Sequence, residues 1–177
     1  MGDRSVAAPT ERAAGVTASS WLIRVAHTRA PATVILIRIV VGGIFLEEGI
    51  QKFLFPAVRG PGRFAAETPL PAPTVFGYLT GGFEIACGLL LMVGLATRLA
   101  AVPLIVVMLG AEAFTKIPIA VQDSAWVYIH EARTELCLLF GSVFLLIAGA
   151  GAWSADAALI RRRNETEPTS HSSPARE

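Results

Sequence analysis

Four apolar runs, each about as long as a lipid bilayer is thick, limit what this sequence can fold into. They cover residues 32–55, 74–95, 99–117 and 134–152. A helix needs about 20 consecutive apolar residues to cross a hydrocarbon layer of ~30 Å. Charged residues make up only 16% of the chain, whereas they make up about 25% of ordinary soluble domains. These runs predict an all-α, polytopic membrane protein built as a four-transmembrane-helix bundle.

The basic residues outside these runs predict the orientation of the bundle, because short cytoplasmic segments collect Lys and Arg. Four arginines lie in the N-terminal arm, Arg98 lies in the second connection, and Arg161, Arg162 and Arg163 follow the fourth run. An even number of spans puts both ends of the chain on one side of the membrane. We therefore predict a multi-pass protein of the plasma membrane with both termini in the cytoplasm.

The chain divides into three regions, residues 1–31, 32–160 and 161–177. The first is a basic cytoplasmic arm that lacks the apolar core of a secretory signal. Within this arm, residues 20–28 suit either a short interfacial helix or an irregular segment. The second region is the transmembrane domain. The third is a polar tail without an apolar face, which we expect to be disordered.

The cysteines and histidines restrict the redox chemistry that the chain could perform alone. Cys87 and Cys137 lie at different depths of their spans, so we expect no disulfide between them. His27, His130 and His171 all lie outside the apolar runs, and no CxxC motif is present. The sequence therefore lacks the ligand patterns of haem, iron–sulfur and zinc sites. We predict no metal site and no covalently bound cofactor, so a bound quinone or a partner's cofactor would have to carry electrons.

Ionisable side chains recur within the first apolar run. A charge at the bilayer centre costs about 2.5–3.5 kcal/mol on insertion scales, so such residues face the bundle interior and pair. Glu48 can pair with Lys52 one helical turn later, whereas Glu47 faces away and has no predicted partner. One stripe of this helix carries residues at steps of three and four: Arg38, Gly42, Phe45, Gly49 and Lys52.

The other three runs offer partners for these charges. A small-residue stripe in the second run, which allows close helix approach, contains Gly77, Gly81, Glu84 and Gly88. Glu84 lies near the centre of this run, and we predict an ion pair between it and Arg38. In the third run, we predict that Glu112 pairs with Lys116 at i, i+4. Glu131 and Glu135 share one face at the start of the fourth run.

Two interpretations of these charges stay open. In one, buried ion pairs only fix the register and rotation of the helices. In the other, a carboxylate beside an apolar cavity exchanges protons with a bound molecule. The candidate catalytic residues are then Glu84, Glu135 and Arg38. The candidate ligand-binding residues are Lys52, Glu48, Glu112 and Lys116.

Three motifs in this order resemble the DoxX family of small four-helix membrane proteins, over about residues 32–160. The first run carries Arg38, Gly42, Phe45, Gly49, Lys52 and Phe53. The second run and its end carry Gly81, Glu84, Gly88, Leu91, Gly94, Thr97 and Arg98. The fourth run ends in Gly149, Gly151, Trp153, Ser154 and Asp156. The sequence departs from the family pattern at Ala150, where a proline is usual.

The resemblance implies a role in membrane oxidoreductase systems, such as thiosulfate:quinone oxidation or defence against oxidative and thiol stress, with soluble redox enzymes as partners. The leading hypothesis is an integral subunit of a quinone-linked oxidoreductase. A carrier or proton-coupled exporter of a small solute, and a non-catalytic membrane scaffold, are the alternatives. Besides the lipid bilayer, a homodimer partner is compatible with so small a bundle. Dispersed basic residues without interleaved aromatics give no sign of nucleic-acid binding.

Overall fold

The computed structural model describes residues 30–122 and 124–166, and this part of the chain contains helices and no strand. The helices are α1 (Val34–Leu54), α2 (Pro61–Glu67), α3 (Pro73–Val93), α4 (Thr97–Gln122), α5 (Ala125–Ala148) and α6 (Ala155–Thr166). Helix α4 includes a π-helical turn over Glu112–Lys116. The prediction of an all-α fold is confirmed for these residues. The arm up to residue 29, with its predicted interfacial segment, lies outside the described residues.

The helix boundaries differ from the apolar runs mainly in the last part of the chain. Helix α5 begins at Ala125, whereas the predicted span begins at residue 134. Its start is fixed by Ser124, whose hydroxyl accepts a hydrogen bond from Val127 N (3.3 Å) in the usual manner of a helix N-cap. Helix α6 continues to Thr166, so helical structure extends into the range that was expected to be a disordered tail.

Two of these helices, α3 and α4, are long and apolar enough to cross a membrane by themselves. Helices α1 and α5 have similar length, but their charged residues are spaced so that no 18-residue stretch of either helix has fewer than three. The distribution of side chains over the surface also fits lipid. Large apolar residues such as Leu36 (66% exposed) and Ile147 (71%) face outward, whereas Arg38, Glu84 and Lys116 are buried. A soluble protein keeps such charges outside and rarely exposes so much contiguous apolar surface.

Helices α1 and α3 pack antiparallel through the two predicted small-residue stripes, which confirms them as contact faces. A Cβ atom added at Gly42 would lie 2.7 Å from the carbonyl oxygen of Gly88. One added at Gly49 would lie 2.8 Å from the carbonyl oxygen of Gly81. Because only hydrogen fits at these points, the backbones approach closely. This contact fixes the register, with Gly42 opposite Gly88 and Gly49 opposite Gly81.

Helices α4 and α5 form a second antiparallel pair, and the two pairs share one apolar core. Leu91 and Phe45 on the first pair and Leu104 and Leu145 on the second are fully buried within it. We call the end of the bundle at the start of α1 the Arg38 end, and the opposite one the Lys52 end. The core fills the bundle at the Arg38 end, whereas the two pairs separate at the Lys52 end to leave a cavity.

Candidate functional site

Arg38 does not pair with Glu84, so that prediction is wrong. The Arg38 side chain is 2% exposed, and its donors are bound by backbone carbonyl groups. Its Nε donates to Leu91 (2.9 Å), its Nη2 to Met92 (2.9 Å), and its Nη1 to Ala150 (2.6 Å) and Trp153 (2.9 Å). Arg38 therefore joins α1, the end of α3 and the segment after α5.

The register and the direction of helical side chains explain this outcome. Extending the glycine register by one turn places Arg38 level with Met92, which is about 12 Å along α3 from Glu84 at 1.5 Å per residue. Side chains in a helix lean toward its N-terminus. Since α1 and α3 are antiparallel, Arg38 and Glu84 lean away from each other, whereas Lys52 and Glu84 lean toward each other.

Lys52 is the partner of Glu84. The distance between Lys52 Nζ and Glu84 Oε2 is 2.6 Å, and Glu84 is 1% exposed. A second carboxylate oxygen, Oε2 of Glu48, lies 3.8 Å from the same ammonium group, which confirms the predicted i, i+4 pair. Lys52 is thus held between two carboxylates, one on its own helix and one on α3.

A similar arrangement joins α4 and α5. Lys116 Nζ lies 3.0 Å from Glu135 Oε1 and 3.9 Å from Glu131 Oε2. The predicted pairing of Glu112 with Lys116 is wrong, because Glu112 instead accepts a hydrogen bond from the Tyr128 hydroxyl (3.1 Å). Glu112 and Lys116 begin and end the π-helical turn. Hydrogen bonds there run from i to i+5, so the i, i+4 alignment of an α-helix is lost.

Glu47, which had no predicted partner, is exposed and accepts a hydrogen bond from Gln51 on the same helix. It points out of the bundle, away from the stripe that holds Arg38 and Lys52. Glu47 is therefore separate from the buried charges.

A cavity of about 610 Å³ lies at the Lys52 end, between the two helix pairs. Both lysine–carboxylate clusters line it, Lys52 with Glu48 and Glu84 on one side and Lys116 with Glu135 and Glu131 on the other. Other polar lining residues include Arg59, Arg63, Glu67, His130 and Arg133. The apolar lining residues include Leu70, Phe76, Val106, Met108, Phe114 and Leu138.

The cavity brings together five of the seven predicted site residues: Glu84, Glu135, Lys52, Glu48 and Lys116. Arg38 lies at the opposite end of the bundle, and Glu112 is buried between α4 and α5 against Tyr128. The structure therefore separates these two from the other candidates. No group of three or more His, Cys, Asp or Glu side chains suited to a metal ion occurs in the described part of the chain.

The connection between α1 and α3 supplies lining residues that the sequence did not single out. Helix α2 packs its Pro61 against Gly77 of α3, where an added Cβ would lie 2.8 Å from Pro61 Cα. From there the segment reaches α4, since the Thr115 hydroxyl donates to Glu67 Oε2 (3.2 Å). Glu67 also forms an ion pair with Arg63 (2.9 Å). The proline at the start of α2 was the one available signal that this connection contains a helix.

The glycine-rich motif after α5 closes the Arg38 end. Asp156 accepts hydrogen bonds from the backbone N–H groups of Ala96 (2.9 Å) and Thr97 (3.4 Å) at the start of α4. Ala150, which replaces the usual proline of the family pattern, contributes its carbonyl oxygen to Arg38. Because proline and alanine both carry this carbonyl, the departure keeps the acceptor that the arginine needs.

An outward apolar surface around buried ion pairs and a charged cavity defines a helical membrane protein. A family model described as DoxX matches residues 33–117. The uncharacterized membrane protein Rv3486 of Mycobacterium tuberculosis is 46% identical over 155 residues, which cover 84% of this chain and 93% of that relative. No solved structure matches the chain. The chain belongs to the DoxX family, as the three sequence motifs indicated.

Proposed function

We propose that this membrane protein binds a quinone in the cavity at the Lys52 end and acts as an integral subunit of a redox system. The ion pair between Lys52 and the buried Glu84 lies beside a cavity that charged and apolar side chains line together, and this is the observation that carries the proposal. A volume of about 610 Å³ falls within the range of about 300–1,000 Å³ that is typical of small-molecule sites. The two ammonium groups suit the carbonyl oxygens of a quinone, and the apolar part of the lining suits its prenyl tail.

A bound quinone would supply the capacity to accept two electrons and two protons. Lys52 and Lys116 would each offer an N–H donor that fixes a carbonyl oxygen at one side of the cavity. Glu84 and Glu135 would hold or release a proton at the carboxylate oxygen that now faces a lysine. Electrons would come from a soluble oxidoreductase partner, such as one of thiosulfate, thiol or oxidative-stress metabolism.

The proposal includes a four-span topology in the plasma membrane, with both termini in the cytoplasm. Helices α1 and α5 would cross the membrane beside α3 and α4 because their charged residues turn inward or lie near the Lys52 end. The arginines at the Arg38 end favour the cytoplasm for that end. The cavity would then open on the outer side, within reach of the quinone pool of the membrane.

The packing favours a binding site over a transport path, which was the first alternative. A carrier needs an accessible route to both sides, whereas Arg38, Phe45, Leu91 and Leu104 fill the Arg38 end and are buried. Purified protein in liposomes, tested for solute flux with and without a proton gradient, separates these functions. We expect no flux above that of empty liposomes.

Quinone binding is tested with the full chain in detergent or nanodiscs and a short-chain quinone analogue, by equilibrium titration. We expect saturable binding that weakens at least about tenfold in Lys52→Met, because a charge-assisted hydrogen bond is worth about 1.5–3 kcal/mol. Glu84→Gln tests the carboxylate, and Glu47→Gln is its matched control because Glu47 faces outward. The proposal is contradicted if the wild-type protein binds no analogue, which is the result expected of a non-catalytic scaffold. Equal weakening in Glu84→Gln and Glu47→Gln contradicts the assignment of the site.

A further inference from the structure

The surface of helix α6 differs from the rest of the molecule because it combines guanidinium groups with exposed apolar side chains. Its last turns carry three consecutive exposed arginines. Two exposed apolar residues precede them in the chain, Trp153 (70% exposed) before the start of the helix and Leu159 (55%) within it. We call this surface the α6 patch, and its residues are Trp153, Leu159, Arg161, Arg162 and Arg163. Neither the quinone site nor the ion-paired clusters at the Lys52 end use it.

The α6 patch has a fixed position on the bundle. Besides the two hydrogen bonds that Asp156 accepts from the start of α4, its own backbone N–H donates to the carbonyl oxygen of Gly94 (3.1 Å). The first turn of α6 is therefore attached to the turn between α3 and α4. Trp153 is held next to it, because its carbonyl oxygen binds Arg38. The arginines thus lie at a defined end of the membrane-embedded helices.

Among the described residues at this end, basic side chains outnumber acidic ones. Arg98 lies at the same end, where its Nη2 donates to the carbonyl oxygen of Ile147 (3.1 Å) at the end of α5. Of the acidic residues here, Asp156 is buried and occupied by backbone N–H groups, which leaves Glu165 as the exposed carboxylate of α6. At the Lys52 end, by contrast, lysines and arginines alternate with glutamates.

We infer that the α6 patch binds the headgroups of anionic phospholipids. Tryptophan is enriched at the level of lipid headgroups, and clustered basic residues next to membrane-embedded helices attract anionic lipids. Exposed Trp153 and Leu159 would contact the acyl boundary, and the three arginines would contact the phosphate groups above it. A free phosphate ion would use the arginines alone, so the apolar half of the patch favours a lipid.

The test titrates purified protein in a neutral detergent with phosphatidylglycerol, phosphatidylcholine or inorganic phosphate, and counts bound lipid by native mass spectrometry. The variant Arg161→Gln/Arg162→Gln/Arg163→Gln is compared with Arg59→Gln/Arg63→Gln/Arg133→Gln, which removes three charges at the Lys52 end. We expect the apparent Kd for phosphatidylglycerol to rise at least about tenfold in the first variant and to stay within about twofold in the second.

A variant that keeps every charge tests the apolar half of the patch. In Trp153→Ser/Leu159→Ser we expect weaker binding of phosphatidylglycerol by several-fold. Three results would each overturn the inference. They are an affinity for phosphatidylcholine equal to that for phosphatidylglycerol, an equal loss of phosphatidylglycerol affinity in both arginine variants, and displacement of the lipid by inorganic phosphate at equal concentration. The assay contains no quinone, so a failure of the lipid inference is distinguishable from a failure of the proposed redox function.

Discussion

Replacement of Lys52 by methionine should destabilise the protein more than replacement of its partner Glu84 by glutamine. Methionine keeps most of the length and apolar character of the lysine chain and removes only the ammonium group. Glu84 would then remain 1% exposed without the cation that lies 2.6 Å away in the wild-type protein. Glu48 would lose the same partner, but it is 31% exposed and can reach solvent.

The magnitude follows from which charge is left behind. Breaking a buried ion pair by removal of one partner costs about 3–5 kcal/mol, because the remaining charge is uncompensated. We expect this range for Lys52→Met. Glu84→Gln should cost only about 1–3 kcal/mol, because Lys52 still has Glu48 within 3.8 Å. Replacing both partners, as in Lys52→Met/Glu84→Met, leaves no buried charge, and such apolar replacements are often nearly neutral.

The assay is reversible unfolding in mixed micelles, with the free energy of unfolding measured for the wild-type protein, both single variants and the double variant. We expect the double variant to be at least about 1 kcal/mol more stable than Lys52→Met alone, as a coupling energy between residues in contact. Glu47→Gln, on the outer surface, should change the free energy by less than about 0.5 kcal/mol. A double variant as unstable as the sum of the single variants would refute the reasoning.

Three further predictions use the same unfolding assay. Arg38→Lys should cost at least about 2 kcal/mol, because lysine lacks the planar fork that donates to several carbonyl groups at once; full stability of the variant would contradict this role. Gly49→Ala should cost about 1–3 kcal/mol because its Cβ would meet backbone atoms of α3, whereas Gly43→Ala, which has open space around it, should not destabilise. Tyr128→Phe should cost about 1–3 kcal/mol because it removes a hydrogen bond from the buried Glu112 carboxylate, and an unchanged value would show that the bond contributes nothing.

The helix stripes could be predicted from the sequence because they depend only on helical periodicity. Steps of three and four residues placed Gly42 and Gly49 on one face, and the structure seats both against α3. The same periodicity grouped Glu131 with Glu135, and both face Lys116. Such predictions succeed because the side chains concerned share a helix, so no knowledge of the neighbouring helix is required.

Pairings between helices were harder to predict, because they depend on register and on the direction in which side chains lean. Arg38 and Glu84 were complementary in charge, yet antiparallel packing turns them apart and brings Lys52 to Glu84 instead. The π-helical turn at Glu112–Lys116 was equally hidden, because its sequence has no distinctive pattern. The fold of the connection around α2, which contributes Arg63 and Glu67 to the cavity, depends on contacts with α3 and α4 that no local signal encodes.

The basic side chains inside the bundle divide into two kinds according to the groups that they contact. Arg38 donates to backbone carbonyl groups, which neither gain nor lose protons, and it joins three segments at one end. Lys52 and Lys116 form ion pairs with carboxylates. A carboxylate can hold a proton when a ligand binds the lysine in its place. Of Arg38, Lys52 and Lys116, only the two lysines line the cavity. A substrate that enters this cavity would therefore meet groups able to exchange protons, and Arg38 would support that site only through the packing of the helices.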